Sequence, residues 1–122
     1  MANYDIWIMN ANGSSPTQLT NDSTRQDFQP RFSPNGKRIV YTSRFQRQVP
    51  IGADQNGNLQ IDSVRSEIWM IDNEGKNQTQ LTAFKGVNDT PTWSLDGKRI
   101  IFSSNRGGEW NLWSMIPISE TN

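Results

Sequence analysis

Neither histidine nor cysteine occurs in the 122 residues of this chain. Without an imidazole there is no Ser-His-Asp triad and no histidine general base, and without a thiol there is no cysteine nucleophile, disulfide or thiolate zinc site. An excess of charge is missing too, since 12 Lys and Arg balance 12 Asp and Glu. Nucleic-acid binders draw most of their affinity from phosphate neutralisation and membrane-surface binders from clustered cations, so neither nucleic acid nor a membrane is an expected partner. Long apolar runs are also lacking. The longest, Ile6-Trp-Ile-Met9, is far short of the roughly 20 residues that cross a bilayer, and Met1-Ala2-Asn3 ahead of it has neither the basic nor the apolar region of a secretory signal.

What is present points to β-structure. Asn, Gln, Ser and Thr number 43, while the 12 aromatics, five of them Trp, sit in short apolar runs between turn residues. Disordered chains are poor in aromatics and rich in charge of one sign; short strands joined by tight turns fit this pattern better.

The chain also repeats itself. Asp5-Ile-Trp-Ile-Met-Asn-Ala-Asn-Gly13 and Thr17-Gln-Leu-Thr20 recur as Glu67-Ile-Trp-Met-Ile-Asp-Asn-Glu-Gly75 and Thr79-Gln-Leu-Thr82, with a partial third copy at Asn111-Leu-Trp-Ser-Met115. A second unit, Pro30-Arg-Phe-Ser-Pro-Asn-Gly-Lys-Arg-Ile-Val-Tyr-Thr-Ser43, recurs as Pro91-Thr-Trp-Ser-Leu-Asp-Gly-Lys-Arg-Ile-Ile-Phe-Ser-Ser104. Trp69 and Trp113 lie 44 residues apart, and Trp7 and Trp69 lie 62 apart because 17 extra residues fall between Ser43 and Glu67 and one before Pro30. A period near 44 is that of a four-stranded propeller blade. Within a period, Pro30 onward and Ile39-Val-Tyr-Thr form strands a and b around an Asn-Gly or Asp-Gly turn; Ile68-Trp-Met-Ile and Thr79-Gln-Leu-Thr form c and d. Runs apolar at successive positions suit central strands covered on both faces.

Phe32-Ser-Pro-Asn-Gly-Lys-Arg-Ile-Val-Tyr41 and Trp93-Ser-Leu-Asp-Gly-Lys-Arg-Ile-Ile-Phe102, each followed by a copy of the Asp/Glu-Ile-Trp or Asn-Leu-Trp unit, resemble the WD40-like (PD40) repeats of the TolB β-propeller family. Leu95 departs from the usual turn proline. The resemblance implies an all-β chain of two to two-and-a-half propeller blades, each of four antiparallel strands. The expected organisation is strands c and d over 4–20, a full blade over 30–82 with an insertion at 45–65, and strands a, b and c over 91–116. Propellers close with about four to eight blades, so these blades form an incomplete propeller. Either the chain is part of a larger ring, or copies assemble through open blade edges that favour self-association. Family members include a component of the Tol-Pal envelope system and propellers attached to prolyl-oligopeptidase-type hydrolases, which implies a periplasmic or extracellular setting.

Topology sorts the loops. The tight a-b and c-d turns share one face, and the richer d-to-a and b-to-c connections share the other. Loops on a rigid scaffold concentrate binding residues, so Arg25, Asp27, Arg44, Lys85, Asp89 and Arg106 are candidate ligand or partner contacts on that loop face. Trp110, outside the repeat register, is a further surface candidate; Trp7, Trp69, Trp113, Phe32 and Trp93 recur in register and read as blade-packing residues. In the insertion, Asp54, Asn56, Asn58, Gln60 and Asp62 place oxygen donors at alternate positions, as an EF-hand-like Ca²⁺ loop does. Leu59 and Arg65, however, replace the Gly and the bidentate Glu of that motif. No cofactor is required, Ca²⁺ being the one candidate. The expected function is a non-catalytic module binding a protein partner or ligand. The alternatives are a propeller domain of a hydrolase, which needs a separate Gly-x-Ser-x-Gly domain, a carboxylate enzyme acting on polysaccharide through Asp27, Asp89 or Glu109, and a two-blade unit that self-assembles into a ring.

Overall fold

The repeated segment Ser-x-Asn/Asp-Gly-Lys builds the same turn twice. Ser33 Oγ donates to Asn35 Oδ1 (2.8 Å), which also accepts the Lys37 N–H (2.9 Å), while Ser33 Oγ accepts the Arg38 N–H (3.0 Å). Ser94, Asp96, Lys98 and Arg99 repeat this network at 2.7, 3.0 and 3.0 Å. Gly36 and Gly97 have φ of 73° and 72°, a left-handed conformation that costs an L-residue about 1–2 kcal/mol. The side chains fix the turn and glycine closes it.

These turns join strands that a computed structural model describes over residues 3–50, 59–83 and 86–117, with the backbone alone at 46–50 and 59–64. The strands are β1 (Trp7–Ile8), β2 (Thr17–Gln18), β3 (Gln26–Phe32), β4 (Arg38–Pro50), β5 (Leu59–Asp72), β6 (Thr79–Gln80), β7 (Asn88–Trp93), β8 (Ile100–Ser104) and β9 (Asn111–Met115). All neighbours within a sheet pair antiparallel, in three sheets ordered β1-β2, β3-β4-β5-β6 and β7-β8-β9. Among the described residues there is no helix. These are the c-d pair of a first blade, a complete second blade, and strands a, b and c of a third.

Side-chain alternation explains why the sheets stack. In β4 and β5, Val40, Ile68 and Met70 turn toward the third blade and pack with Ile100 and Phe102, with Leu81, Trp93 and Met115 at the margin. Ile39, Tyr41 and Ile71 turn the other way and pack with Ile6, Leu19 and Trp69 against the first blade. Complete burial of a residue such as Ile68 contributes roughly 1.5–3 kcal/mol, and the second blade collects this on both faces.

Polar groups register the blades. Equivalent bulges interrupt strand a at Gln29 and Thr90, whose φ values are 57° and 54°. Gln29 Oε1 accepts from Thr42 Oγ1 (2.8 Å) and from the Thr90 N–H (3.0 Å), and Trp93 Nε1 donates to the Arg31 carbonyl (3.2 Å).

Three features differ from the sequence reading. Strand a begins at Gln26 and Asn88, ahead of Pro30 and Pro91, because the bulge carries pairing past the proline. Within the insertion, residues 45–50 and 59–65 form a ladder rather than loop: pairing continues from Phe45↔Arg65 to Pro50↔Leu59, as the apolar-polar alternation of Leu59-Gln-Ile-Asp62 permits. Finally, the strand-c tryptophans are not packed uniformly: Trp113 is 40% exposed although the second blade precedes it. Trp69 is half-buried, whereas Trp7 is 57% exposed on the open side of the first blade. The opposite open side shows Leu112, the counterpart of buried Ile68, at 75% exposure.

Two substitutions, one in each copy of the repeated turn, have opposite expected signs. Gly36→Ala is expected to lower unfolding free energy by about 1–2 kcal/mol. Leu95→Pro, which copies Pro34 at the equivalent place, should raise it by about 0.4–1 kcal/mol. Urea titrations followed by far-UV circular dichroism measure both.

Candidate functional site

The d-to-a loop before β3 is organised by one carboxylate. Asp22 Oδ1 accepts the Thr24 N–H (2.9 Å) and the Thr24 hydroxyl, and Asp22 Oδ2 accepts Nε and Nη2 of Arg25 (3.1 and 2.9 Å). Hydrogen bonds from the Thr24 hydroxyl and N–H, reinforced by Arg25, hold the Asp22 pKa down at about 2. The bidentate pair fixes the guanidinium plane, and that plane lies 4.2 Å from the Trp69 ring centroid.

Around this stack is a pocket of about 250 Å³ lined by Asp22, Thr24, Arg25, Ser43, Phe45, Arg65, Glu67, Trp69 and Gln80. The extended β4-β5 hairpin supplies Phe45, 43% exposed, as an aromatic wall, and Arg65, whose Nε donates to Glu67 Oε2 (2.8 Å). Glu67 is buried at the blade junction, where its Oε1 accepts from Thr82 Oγ1 (2.6 Å) and Asn88 Nδ2 (3.0 Å). The pocket therefore offers cationic and aromatic surface whose charges already have internal partners.

A second pocket, of about 260 Å³, lies on the third blade and includes Leu81, Thr82, Phe102, Arg106 and Trp113. The Arg106 guanidinium carbon lies 5.2 Å from both the Phe102 and Trp113 centroids, and its Nη2 donates to Asn88 Oδ1 (2.8 Å). Arg25 comes from a d-to-a loop and Arg106 from a b-to-c loop, yet each covers the strand-c tryptophan of its own blade. The loop face thus carries two arginine-over-tryptophan pockets one blade apart.

The sequence-derived candidates divide accordingly. Arg25 and Arg106 are central to the two pockets. Arg44 stacks on Phe28 (4.8 Å) with its Nε 3.4 Å from Ser66 Oγ, and lines neither pocket. Asp89 is paired opposite Ser103 in β7 and accepts from the Thr90 hydroxyl (3.1 Å). Trp110 is 55% exposed between β8 and β9. Asp27 is not a surface contact: it is 3% exposed within the first blade junction, paired opposite Ser43. Burial raises its pKa, opposed by the nearby Ser43 and Thr20 hydroxyls and Arg25. Lys85, Asp54, Asn56 and Asn58 lie outside the described residues, and Gln60 and Asp62 fall on β5 with side chains outside them. Sequence reading missed Asp22, Phe45, Arg65 and Glu67, and assigned Trp69 to packing alone. The spacing Asp22-x-x-Arg25 was the available signal for the first.

Comparisons with known proteins agree with this architecture. No family model matches the chain. It is 31% identical to dipeptidyl-peptidase 5 of Porphyromonas gingivalis over 81 residues, which is 66% of this chain and 10% of that enzyme. It is 27% identical to an uncharacterised protein of Agrobacterium fabrum over 108 residues, 88% of this chain and 30% of that protein. A solved structure from Agrobacterium tumefaciens, described as a TolB, superposes with a TM-score of 0.63 at 22% identity, covering 96% of this chain and 38% of the other. The fold is that of a TolB-like β-propeller. The chain spans about a tenth of the peptidase and about a third of the Agrobacterium relative.

The Asp22 assignment gives a direct test. Its folded-state pKa is depressed from 3.8 to about 2, so the stability it contributes is fully present above 3.8 and is lost as pH falls toward 2. NMR titration of the Asp22 carboxyl should place its midpoint near 2. Arg25→Ala should raise that midpoint and increase acrylamide quenching of Trp69, measured by difference against Trp69→Phe. Quenching unchanged by the variant would mean that the guanidinium does not shield the ring.

Proposed function

We propose that this chain is a non-catalytic stretch of a larger TolB-like propeller that binds a protein partner through its loop face. The observation that carries the reading is the pair of arginine-over-tryptophan pockets on that face. Interfaces concentrate Trp, Tyr and Arg where contacts become desolvated, and rigid loops on stacked sheets supply a preformed surface. The opposite face consists of hairpin turns closed on themselves. A catalytic reading lacks equivalent support: Asp22 is held ionised by its partners, Glu67 is engaged by Arg65 and Thr82, and the chain has no histidine. A surrounding propeller is supported by the 38% coverage of the solved TolB-like structure.

The match to dipeptidyl-peptidase 5 favours a second reading, in which these blades belong to the propeller of a serine peptidase. The two readings separate in the natural polypeptide. Labelling by a fluorophosphonate probe would support the peptidase; an unlabelled polypeptide would support the binding module.

Site-specific photocrosslinking tests the face. A crosslinker at Phe45 or Arg65 should capture one discrete protein in cells of the source organism, and capture should fall at least tenfold with Arg25→Ala and Trp69→Ala combined. The same group at Lys37 or Lys98, on the turn face, should capture none. Equal capture from both faces, or capture insensitive to the double substitution, would contradict the proposal.

A further inference from the structure

The two blade junctions are built from equivalent residues, but among the described residues only the second is closed by hydrogen bonds between their side chains. At the second junction, Glu67 from strand c, Thr82 from strand d and Asn88 from strand a meet: Glu67 Oε1 accepts from Thr82 Oγ1 and Asn88 Nδ2, and Asn88 sits opposite Ser104. The first junction places Asp5, Thr20, Asp27 and Ser43 at the same four positions. Backbone bonds show that the frame is shared, since Thr20 Oγ1 accepts the Ile6 N–H (2.9 Å) as Thr82 Oγ1 accepts that of Ile68 (3.0 Å). The Asp27 N–H donates to the Tyr4 carbonyl (2.8 Å), bringing Asp27 to the start of the first strand c.

The chemistry inside that frame differs. Asp5 is one methylene shorter than Glu67, and Asp27, unlike Asn88, has no N–H to donate. Two carboxylates therefore stand at the positions where the second junction has an acceptor and a donor, near enough for the Asp5 charge to act on Asp27. Asp5 Oδ1, Asp27 Oδ1 and Ser43 Oγ are buried with no partner in hydrogen-bond geometry among the described residues, although the Ser43 and Thr20 hydroxyls lie near enough to Asp27 to favour its charged form; Asp27 and Ser43 are each only 3% exposed. An unsatisfied buried polar atom costs roughly 1–3 kcal/mol, more when charged. Gln18 Nε2 reaches the other Asp5 oxygen (3.2 Å), and the Arg25 donors point to Asp22. Among the described residues no side-chain cation pairs with the orphaned oxygens, although the Arg25 charge is close enough to act on Asp27.

We propose that the junction between the first and second blades is a binding site for a hard divalent cation, Ca²⁺ by its donor set, held by Asp5 and Asp27 with the Ser43 and Thr20 hydroxyls. Oxygen donors of mixed type, with water completing six to eight ligands, suit Ca²⁺; Mg²⁺ demands a more regular octahedron. A cation here joins strand c and strand d of one blade to strands a and b of the next, as hydrogen bonds do one blade later. None of these four residues belongs to the segment 54–62.

The test uses the complete 122-residue chain, stripped with chelator and titrated with CaCl₂, read by thermal unfolding and by tryptophan-sensitised Tb³⁺ luminescence. The wild type should show a rising unfolding midpoint with a dissociation constant near the 10⁻⁴–10⁻³ M of extracellular Ca²⁺ modules. Asp27→Asn, which installs the residue that the second junction already uses, should weaken binding at least tenfold. Asp54→Asn with Asp62→Asn should leave the titration unchanged. Should Asp27→Asn fail to fold, Ser43→Ala removes one neutral donor and should weaken binding severalfold. The proposal is overturned by a wild type indifferent to Ca²⁺, by Asp27→Asn or Ser43→Ala titrating like wild type, or by loss confined to the Asp54/Asp62 variant. A midpoint that ignores Ca²⁺ but rises from pH 7 to pH 5 would assign the junction to a shared proton, also overturning it.

Discussion

Stacking of one sheet upon the next is the constraint on which the rest depends. A strand such as β5 cannot leave either face in water, because Ile68 and Met70 point one way while Trp69 and Ile71 point the other. Both sets are buried only if a blade stands on each side. Strand spacing, bulge position and the depth of the loop-face pockets follow from that requirement, and the exposure of Trp7 and Leu112 shows what happens where no neighbour stands. Such flanks are apolar surfaces that need covering.

The same stacking creates the functional surface. Stacking sets strand a of one blade against strands a, b and c of the blade before it, so the starts of strands a and c and the ends of b and d share one rim, where their connecting loops crowd together. There, Arg25, held by Asp22, and Arg106, which donates to Asn88, rise over tryptophan rings. Glu67 serves both worlds: one oxygen ties the blade junction through Thr82 and Asn88, and the other anchors Arg65 at the pocket edge. Packing and recognition surface are thus joined through single side chains, and a change at the junction reaches the rim.

Much of the architecture was legible in the sequence because it repeats. The registers of Ile-Trp-x-x, Thr-Gln-Leu-Thr and Ser-x-Asn/Asp-Gly-Lys marked strands b, c and d of the second blade and the later half of strand a, and the turn chemistry at Ser33 and Ser94 follows from the residue types themselves. The insertion was misread as loop because Gly-containing polar residues at its centre masked the period-two alternation on either flank. The site was less legible. Arg25 and Arg106 were singled out as loop cations, but Trp69 was assigned to packing, since its ring is covered by an arginine from another strand connection, a contact with no sequence spacing to betray it. Asp27 was placed on the surface because loop polarity does not reveal burial; the comparison with Asn88 does.

Energetic coupling across the second junction tests the stacking most directly. Ile68 and Phe102 belong to different blades and to one buried cluster, so a double-mutant cycle with Ile68→Ala and Phe102→Ala should show an interaction energy of about 0.5–3 kcal/mol. Additivity of the two substitutions within about 0.3 kcal/mol would mean that the blades do not pack on one another, and the account of both core and rim would fail with it.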